Sequence, residues 1–218
     1  MWKNKEYYLN IRGIQDSLED VQENWELVNS KLLAQRETLT QQIIENLLAW
    51  YEYVDSLIKN RIDIFEDIGQ ILELNHIVLC GVDRTKWISS NIHILETQKQ
   101  FSQQIPEALD WYNRKKGRKS VYKIAAWIYA MWVSQPQFFI EWNHRTWALI
   151  ASYLLIKDWR PPFVLTRDNA KAFFDPSTLL KSSHKEKLVD RRYYIKKYRK
   201  GLAEFFEEGE KKFRCKNK

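Results

Sequence analysis

Proline and glycine are scarce in this chain, five and six in 218 residues. Sandwiches and barrels turn often and need both residue types to do so, which argues against all-β architecture. Cysteine is scarcer still. Cys80 and Cys215 lie far apart, with no CxxC pair and no Cys/His cluster. The sequence therefore offers neither a disulfide framework nor a zinc site. Long apolar runs are also missing. The longest uncharged stretch, residues 124–140, is interrupted by Ser134, Gln135, Pro136 and Gln137. Residues 147–156 fall well short of the roughly 20 that a bilayer helix needs. The first residues, Met1-Trp-Lys-Asn-Lys-Glu-Tyr-Tyr, hold no apolar signal core. The expectation is a cytoplasmic protein without a membrane span.

What is present is a chain able to fold. Apolar residues make up 44% and charged residues 29%, a globular balance rather than a disordered one. Ten tryptophans and 14% aromatics overall imply a core built from large rings. Charge is divided unevenly. Residues 1–110 hold 10 Lys+Arg against 18 Asp+Glu, a net of −8, whereas residues 111–218 hold 25 against 10, a net of +15. The anion-seeking half is the C-terminal one.

Residues 14–68 contain neither proline nor any glycine. Ile11, Ile14, Leu18, Val21, Trp25, Val28 and Leu32 recur in steps of three and four, the seam of a helix laid along another helix. A helical bundle or arm accounts for that seam, and a dimerising coiled coil needs more heptads than residues 11–32 supply. Ser17 with Asp20 fits a capping box. Thr38 with Gln41 marks a second helix to about Lys59, and Asn60 with Asp63 a third to about Leu79. Gly81-Val-Asp-Arg-Thr then breaks the pattern. Trp87, Ile88, Ile92, Ile94 and Leu95 around Ser89-Ser90-Asn91 read as a short β-hairpin. Pro106 is expected to open the next helix, and Ser120 to cap an almost wholly apolar one from Val121 to Val133. A loop over residues 134–142 leads to a further apolar helix from about Asn143 to Ile156, which Pro161-Pro162 closes off. Residues 168–213 look helical and increasingly basic.

The loop before that last apolar helix carries the densest chemistry: Gln137-Phe-Phe-Ile-Glu-Trp-Asn-His-Arg-Thr-Trp-Ala148. A helix start presents free N–H groups and the positive end of its dipole, which attract anions. Arg145 adds a guanidinium fork for phosphate oxygens. Glu141 offers a carboxylate of the kind Mg²⁺ takes alongside substrate phosphates. Together these residues read as a Mg–polyphosphate cradle. The plainer alternative is a helix-start acid beside a surface arginine.

This segment, followed by Trp159-Arg-Pro-Pro-Phe163, resembles the Fic/Doc (Fido) family motif H-x-F-x-[D/E]-G-N-G-R-x-x-R. The likeness extends outward over residues 41–165. Leu72–Val82 resembles the helix before the family's flap, residues 84–95 the flap, and residues 105–113 the helix after it. The resemblance implies a mainly α, Fic-like helical bundle over residues 39–180 with a short β-hairpin flap. Residues 1–38 would form an N-terminal helical arm and residues 181–218 a basic helical C-terminal extension. Family members transfer AMP, or in Doc-like members phosphate, from a nucleotide to a protein hydroxyl. The resemblance makes Glu141 the Mg²⁺ ligand, Asn143 and Arg145 the phosphate ligands of an ATP-class nucleotide, and Phe139 the buried motif phenylalanine. Lys86, Trp87, Ile88 and Ile92 would belong to the flap.

The departures bear on activity. Gln137 stands at the family's histidine position, and an amide takes no proton near neutral pH. General base catalysis is typically worth about 100- to 10,000-fold. His144 is the nearest substitute base, but it occupies a glycine position on the phosphate side. Trp142 replaces the other glycine, where an indole either fills the phosphate space or stacks on a base. Ala148 replaces the second arginine, as in Doc-like members. Gln41-Gln-Ile-Ile-Glu-Asn46 resembles the family's inhibitory helix, yet Glu45 would face Ala148 and has no arginine to pair with.

Beyond this, Lys185, Lys187, Arg191, Arg192, Lys196, Lys197, Arg199 and Lys200 interleave with Tyr193, Tyr194 and Tyr198. Such a run is either a solvated amphipathic helix with Tyr193, Ile195 or Leu202 underneath, or a nucleic-acid surface over residues 185–200. The expectation is a pseudoenzyme that binds a nucleotide or a protein partner. The alternatives are a divergent AMP- or phosphate-transferase with another base or donor, and a nucleic-acid-binding module using the basic half.

Overall fold

The alternating three- and four-residue spacing of apolar side chains sets most of this fold, because each such stripe must find another to bury it. The computed structural model describes residues 9–83, 85, 91–141, 143–209 and 213. Among these the chain is mainly helical. The helices are α1 (Ile11–Glu23), α2 (Trp25–Asn29), α3 (Gln41–Lys59), α4 (Gly69–Cys80), α5 (Asn91–Lys115), α6 (Val121–Val133), α7 (Asn143–Lys157), α8 (Ala170–Ser182) and α9 (Ile195–Glu207). A π-helical turn, Asp190–Tyr194, runs directly into α9. No strand occurs among the described residues. One isolated bridge joins Gln135 to His184.

The two most apolar helices, α6 and α7, pack on each other, and α8 and α9 cover α6. On the other side α3 pairs with α4 and with α1, and α4 touches α7. Trp50, Trp132, Trp147, Tyr129, Tyr153, Phe101 and Phe139 are fully buried where these layers meet. Ring contacts dominate there: Trp132 meets Trp147 edge-on at 4.2 Å, and Phe139 stacks on Trp147 at 4.8 Å. The segments expected as arm and extension share this core. Ile14, Leu18 and Val21 of α1 and Ile195, Leu202 and Phe206 of α9 are all buried in the one cluster. Asn10, before α1, also meets Phe213, beyond α9, its N–H donating to the Phe213 carbonyl at 3.3 Å.

Helix boundaries follow local chemistry, at places other than expected. Asn10, rather than Ser17, caps α1, its side chain accepting from Gly13 N–H at 3.0 Å. The seam over residues 11–32 breaks at Asn24 into α1 and α2. Thr40, rather than Thr38, caps α3. Asn60 ends α3 instead of starting a helix, because Arg61 turns to a φ of 58°. Helix α4 therefore starts only at Gly69. It stops at Gly81, whose φ of 69° suits a residue without Cβ.

The expected hairpin needs correcting. Residues 84 and 86–90, with Lys86, Trp87 and Ile88, lie outside the described residues. Ile92, Ile94 and Leu95, expected as its second strand, are in the first turns of α5. The reason is a helical stripe further along: Thr97, Phe101, Ile105, Ala108 and Tyr112 are buried at steps of four and three. That stripe carries α5 straight through Pro106, which lies inside the helix rather than at its start.

Candidate functional site

The loop over residues 134–142 is held from three sides. Phe138 and Phe139 are buried, Phe139 stacking on Phe101 of α5 at 5.6 Å. Gln100 and Gln104 of α5 both donate to the Gln137 carbonyl, at 2.5 and 2.7 Å. Gln135 N–H donates to the Ser183 carbonyl, and the Gln135 carbonyl accepts from Lys185 N–H, both at 2.9 Å. Asn75 of α4, itself buried, braces the start of α7 by donating to Thr146 Oγ1 at 2.9 Å.

This frame opens a cavity of about 540 Å³ at the N-terminus of α7, within the ~300–1,000 Å³ range typical of small-molecule sites. Gln137, Glu141, Asn143, His144, Arg145 and Ala148 all line it. The opposite wall comes from Gln35, Arg36, Glu37 and Leu39 in the α2–α3 connector. Leu18 and Trp25, Leu47 and Tyr51 of α3, and Phe173, Phe174 and Lys181 of α8 are also among its lining. Apolar rings thus surround a rim of charged groups. Trp142 lies outside the described residues. Glu45 is an exposed acid on α3 and does not line the cavity.

The motif side chains divide into those that build the loop and those that face a ligand. Asn143 is a builder. Its Oδ1 accepts from Phe139 N–H at 3.0 Å, and its Nδ2 donates to the Phe139 carbonyl at 2.6 Å and to Gln137 Oε1 at 3.3 Å. Its carboxamide is occupied by the loop rather than turned to a phosphate. Gln137 is similarly engaged, its Nε2 donating to the Val133 carbonyl at 3.0 Å. Arg145 faces outward to Glu37, at 2.7 Å. Burial lowers the Arg145 pKa, and Glu37 opposes that shift. Glu141 is exposed at the rim, and no ion pair engages it among the described residues.

His144 sits in a proton-ordered chain. Ser177 Oγ donates to the Phe173 carbonyl at 2.6 Å, which uses the only hydroxyl proton of Ser177. The Tyr129 hydroxyl, 2.6 Å away, must therefore donate to Ser177. His144 Nδ1, 3.2 Å from Tyr129 Oη, must in turn carry the imidazole proton and donate it. Nε2 is left as a bare acceptor, buried and without a hydrogen-bond partner among the described residues. Burial, then the charges of Arg36 and Lys181, lowers the His144 pKa from 6.5 to about 3.

Nothing in the local sequence singles out Arg36, Glu37, Lys181 or Tyr129, since they join the site from other elements. Arg36 is fixed by tertiary contacts. Its backbone N–H donates to Asn29 Oδ1 at 2.8 Å, and its guanidinium donates to Thr178 Oγ1 at 2.6 Å and lies 5.2 Å from the Phe174 ring centroid. Among the described residues no group of three or more His, Cys, Asp or Glu is placed to hold a metal ion. The cavity offers Glu141 as one unengaged carboxylate. Comparison of the chain with protein-family models, with curated proteins and with solved structures gave no match.

Proposed function

We propose that this chain is a catalytically silent relative of the Fic/Doc family that binds an anionic, nucleotide-class ligand in the cavity at the start of α7. One observation carries the reading: the motif residues Gln137, Glu141, Asn143, His144 and Arg145 meet at a single ligand-sized cavity. Arg145, Lys181 and the positive end of α7 supply the attraction for phosphate. Trp25, Tyr51 and Phe173 supply apolar walls for a ring. Glu141 would hold a Mg²⁺ ion, a single protein carboxylate plus substrate phosphates being a usual set for that ion. The ion would supply phosphate charge neutralisation.

Silence follows from proton chemistry. Transfer to a hydroxyl needs a base that takes its proton at neutral pH. Gln137 is an amide already bonded at both ends. His144 has a bare Nε2, but with a pKa of about 3 it is too weak a base for efficient proton abstraction.

The test is calorimetric titration of ADP and ATP, with and without Mg²⁺, on the natural chain and on Arg145→Ala. Micromolar binding that weakens in Arg145→Ala is expected. No heat with the natural chain at millimolar nucleotide would overturn the binding half of the proposal. Transfer of label from nucleotide to protein by the natural chain would overturn the silent half.

A further inference from the structure

The basic segment before and within α9 is amphipathic, and its solvent face carries rings as well as cations. Ile195 and Leu202 lie underneath, at 2% and 1% exposure. Tyr193, two residues from Ile195 and so on the opposite side of the helix, is 76% exposed, and Tyr194 is 50% exposed. Both rings sit on the π-helical turn Asp190–Tyr194, a helix irregularity that often marks functional sites.

Lys185 does not belong to this surface. It is half-buried against the 134–142 loop, donating to Gln104 Oε1 at 3.1 Å and lying 4.6 Å from the Phe138 ring centroid. Residues 187–200 remain, with seven Lys+Arg against one acid, a net of +6. That acid, Asp190, accepts from His184 N–H at 2.8 Å. Among the described residues no acid pairs with Lys187, Arg191, Arg192 or Lys196.

We propose that residues 187–200 form a sequence-independent binding surface for single-stranded nucleic acid. Tyr193 and Tyr194 stack on bases, and Lys187, Arg191, Arg192 and Lys196 contact phosphates. The occupant must offer ring faces and closely spaced negative charge together, and a single strand offers both in every nucleotide. A bilayer fits less well, since it calls for one continuous apolar face. In the sequence the exposed Leu188 and Val189 are separated from the exposed Tyr193 and Tyr194 by the charged run Asp190, Arg191 and Arg192. The proposal does not rest on the cavity reading, because none of these residues lines that cavity.

The test is fluorescence anisotropy of the full chain with a labelled single-stranded homopolymer of about 20 nucleotides, from about 50 to 200 mM salt. Tyr193→Ala and Tyr194→Ala should each weaken binding by about 5- to 150-fold, the worth of one stacked base. Arg191→Gln with Arg192→Gln should flatten the dependence of log affinity on log salt by about 1.4, or 0.7 per phosphate contact. All four side chains are exposed, so the melting temperature should hold and confirm folding. Arg145→Ala should leave oligonucleotide affinity unchanged, which separates this surface from the cavity. Absence of binding at the lowest salt would overturn the proposal. So would affinity within twofold of natural in both tyrosine variants, or capture by phosphatidylserine vesicles without oligonucleotide binding.

Discussion

Removing one oxygen atom, in Tyr129→Phe, tests the proton order deduced around His144. The tyrosine ring is fully buried and packs 5.2 Å from Phe173, so phenylalanine retains the packing. Ser177 still donates to the Phe173 carbonyl. His144 Nδ1–H loses its acceptor, and an unsatisfied buried donor costs about 1–3 kcal/mol. The expected loss of unfolding free energy is therefore about 2 kcal/mol, read as a lower urea midpoint with an unchanged slope. Nitrogen-15 NMR reads the same chain directly. In the natural protein the His144 proton resides on Nδ1, and in Tyr129→Phe the Nε2–H tautomer gains population. A stability loss below about 0.5 kcal/mol, the range of a neutral surface change, would refute the deduction. So would a natural protein whose His144 proton already sits on Nε2.

Three further expectations concern pH, a backbone turn and the cavity rim. His144 has its pKa depressed in the folded state, so the unfolded chain binds its proton first as pH falls. Its contribution is fully present above 6.5 and is lost progressively below it, towards the folded value of about 3. Between about pH 7.5 and 5.5 this amounts to about 1 kcal/mol, and His144→Gln should flatten the stability profile across that interval by as much. Gly81 has φ 69° and ψ −155°, and a Cβ there would lie 2.7 Å from Asn46 Oδ1. Asn46 also donates to the Val78 carbonyl at 3.2 Å, near the end of α4. Gly81→Ala should therefore lower the urea-derived stability by about 1–3 kcal/mol, and a neutral result would contradict the strain. Glu37 is 59% exposed where it meets Arg145, and such pairs are worth at most about 1 kcal/mol. An incoming anion must displace it, so Glu37→Gln should tighten nucleotide binding up to about fivefold. Unchanged or weaker binding would place the anion away from Arg145.

The legible parts of this protein are those written in short-range pattern. The apolar block from Val121 to Val133 and the helix opening at Asn143 are where their residues place them, because burial on nearly every side leaves little choice of partner. Phe139, which the resemblance makes the buried motif phenylalanine, is buried. Misplaced boundaries arose where a local signal competed with a longer one. Pro106 suits a helix start, yet the stripe from Thr97 to Tyr112 runs past it and decides the matter. The Ile92–Leu95 segment has strand-like composition, but it is the leading end of that helix. The site divides in the same way. The α7 residues that face the cavity are legible, because their spacing puts them at one helix start. The groups that set its chemistry come from far along the chain. Tyr129 is 15 residues from His144 and Ser177 is 48 from Tyr129, while Glu37 is 108 from Arg145. No local period records such meetings. The basic run shows why composition alone misleads in both directions. Lys185, which composition places in solvent, is packed against Phe138 with its pKa lowered by burial to about 8. Tyr193, a ring that composition places inside, stands outside. For Lys185 tertiary packing outweighs residue type, its stem lying against Phe138; for Tyr193 helix geometry decides, because residues two apart point about 200° away from each other and burying Ile195 exposes Tyr193.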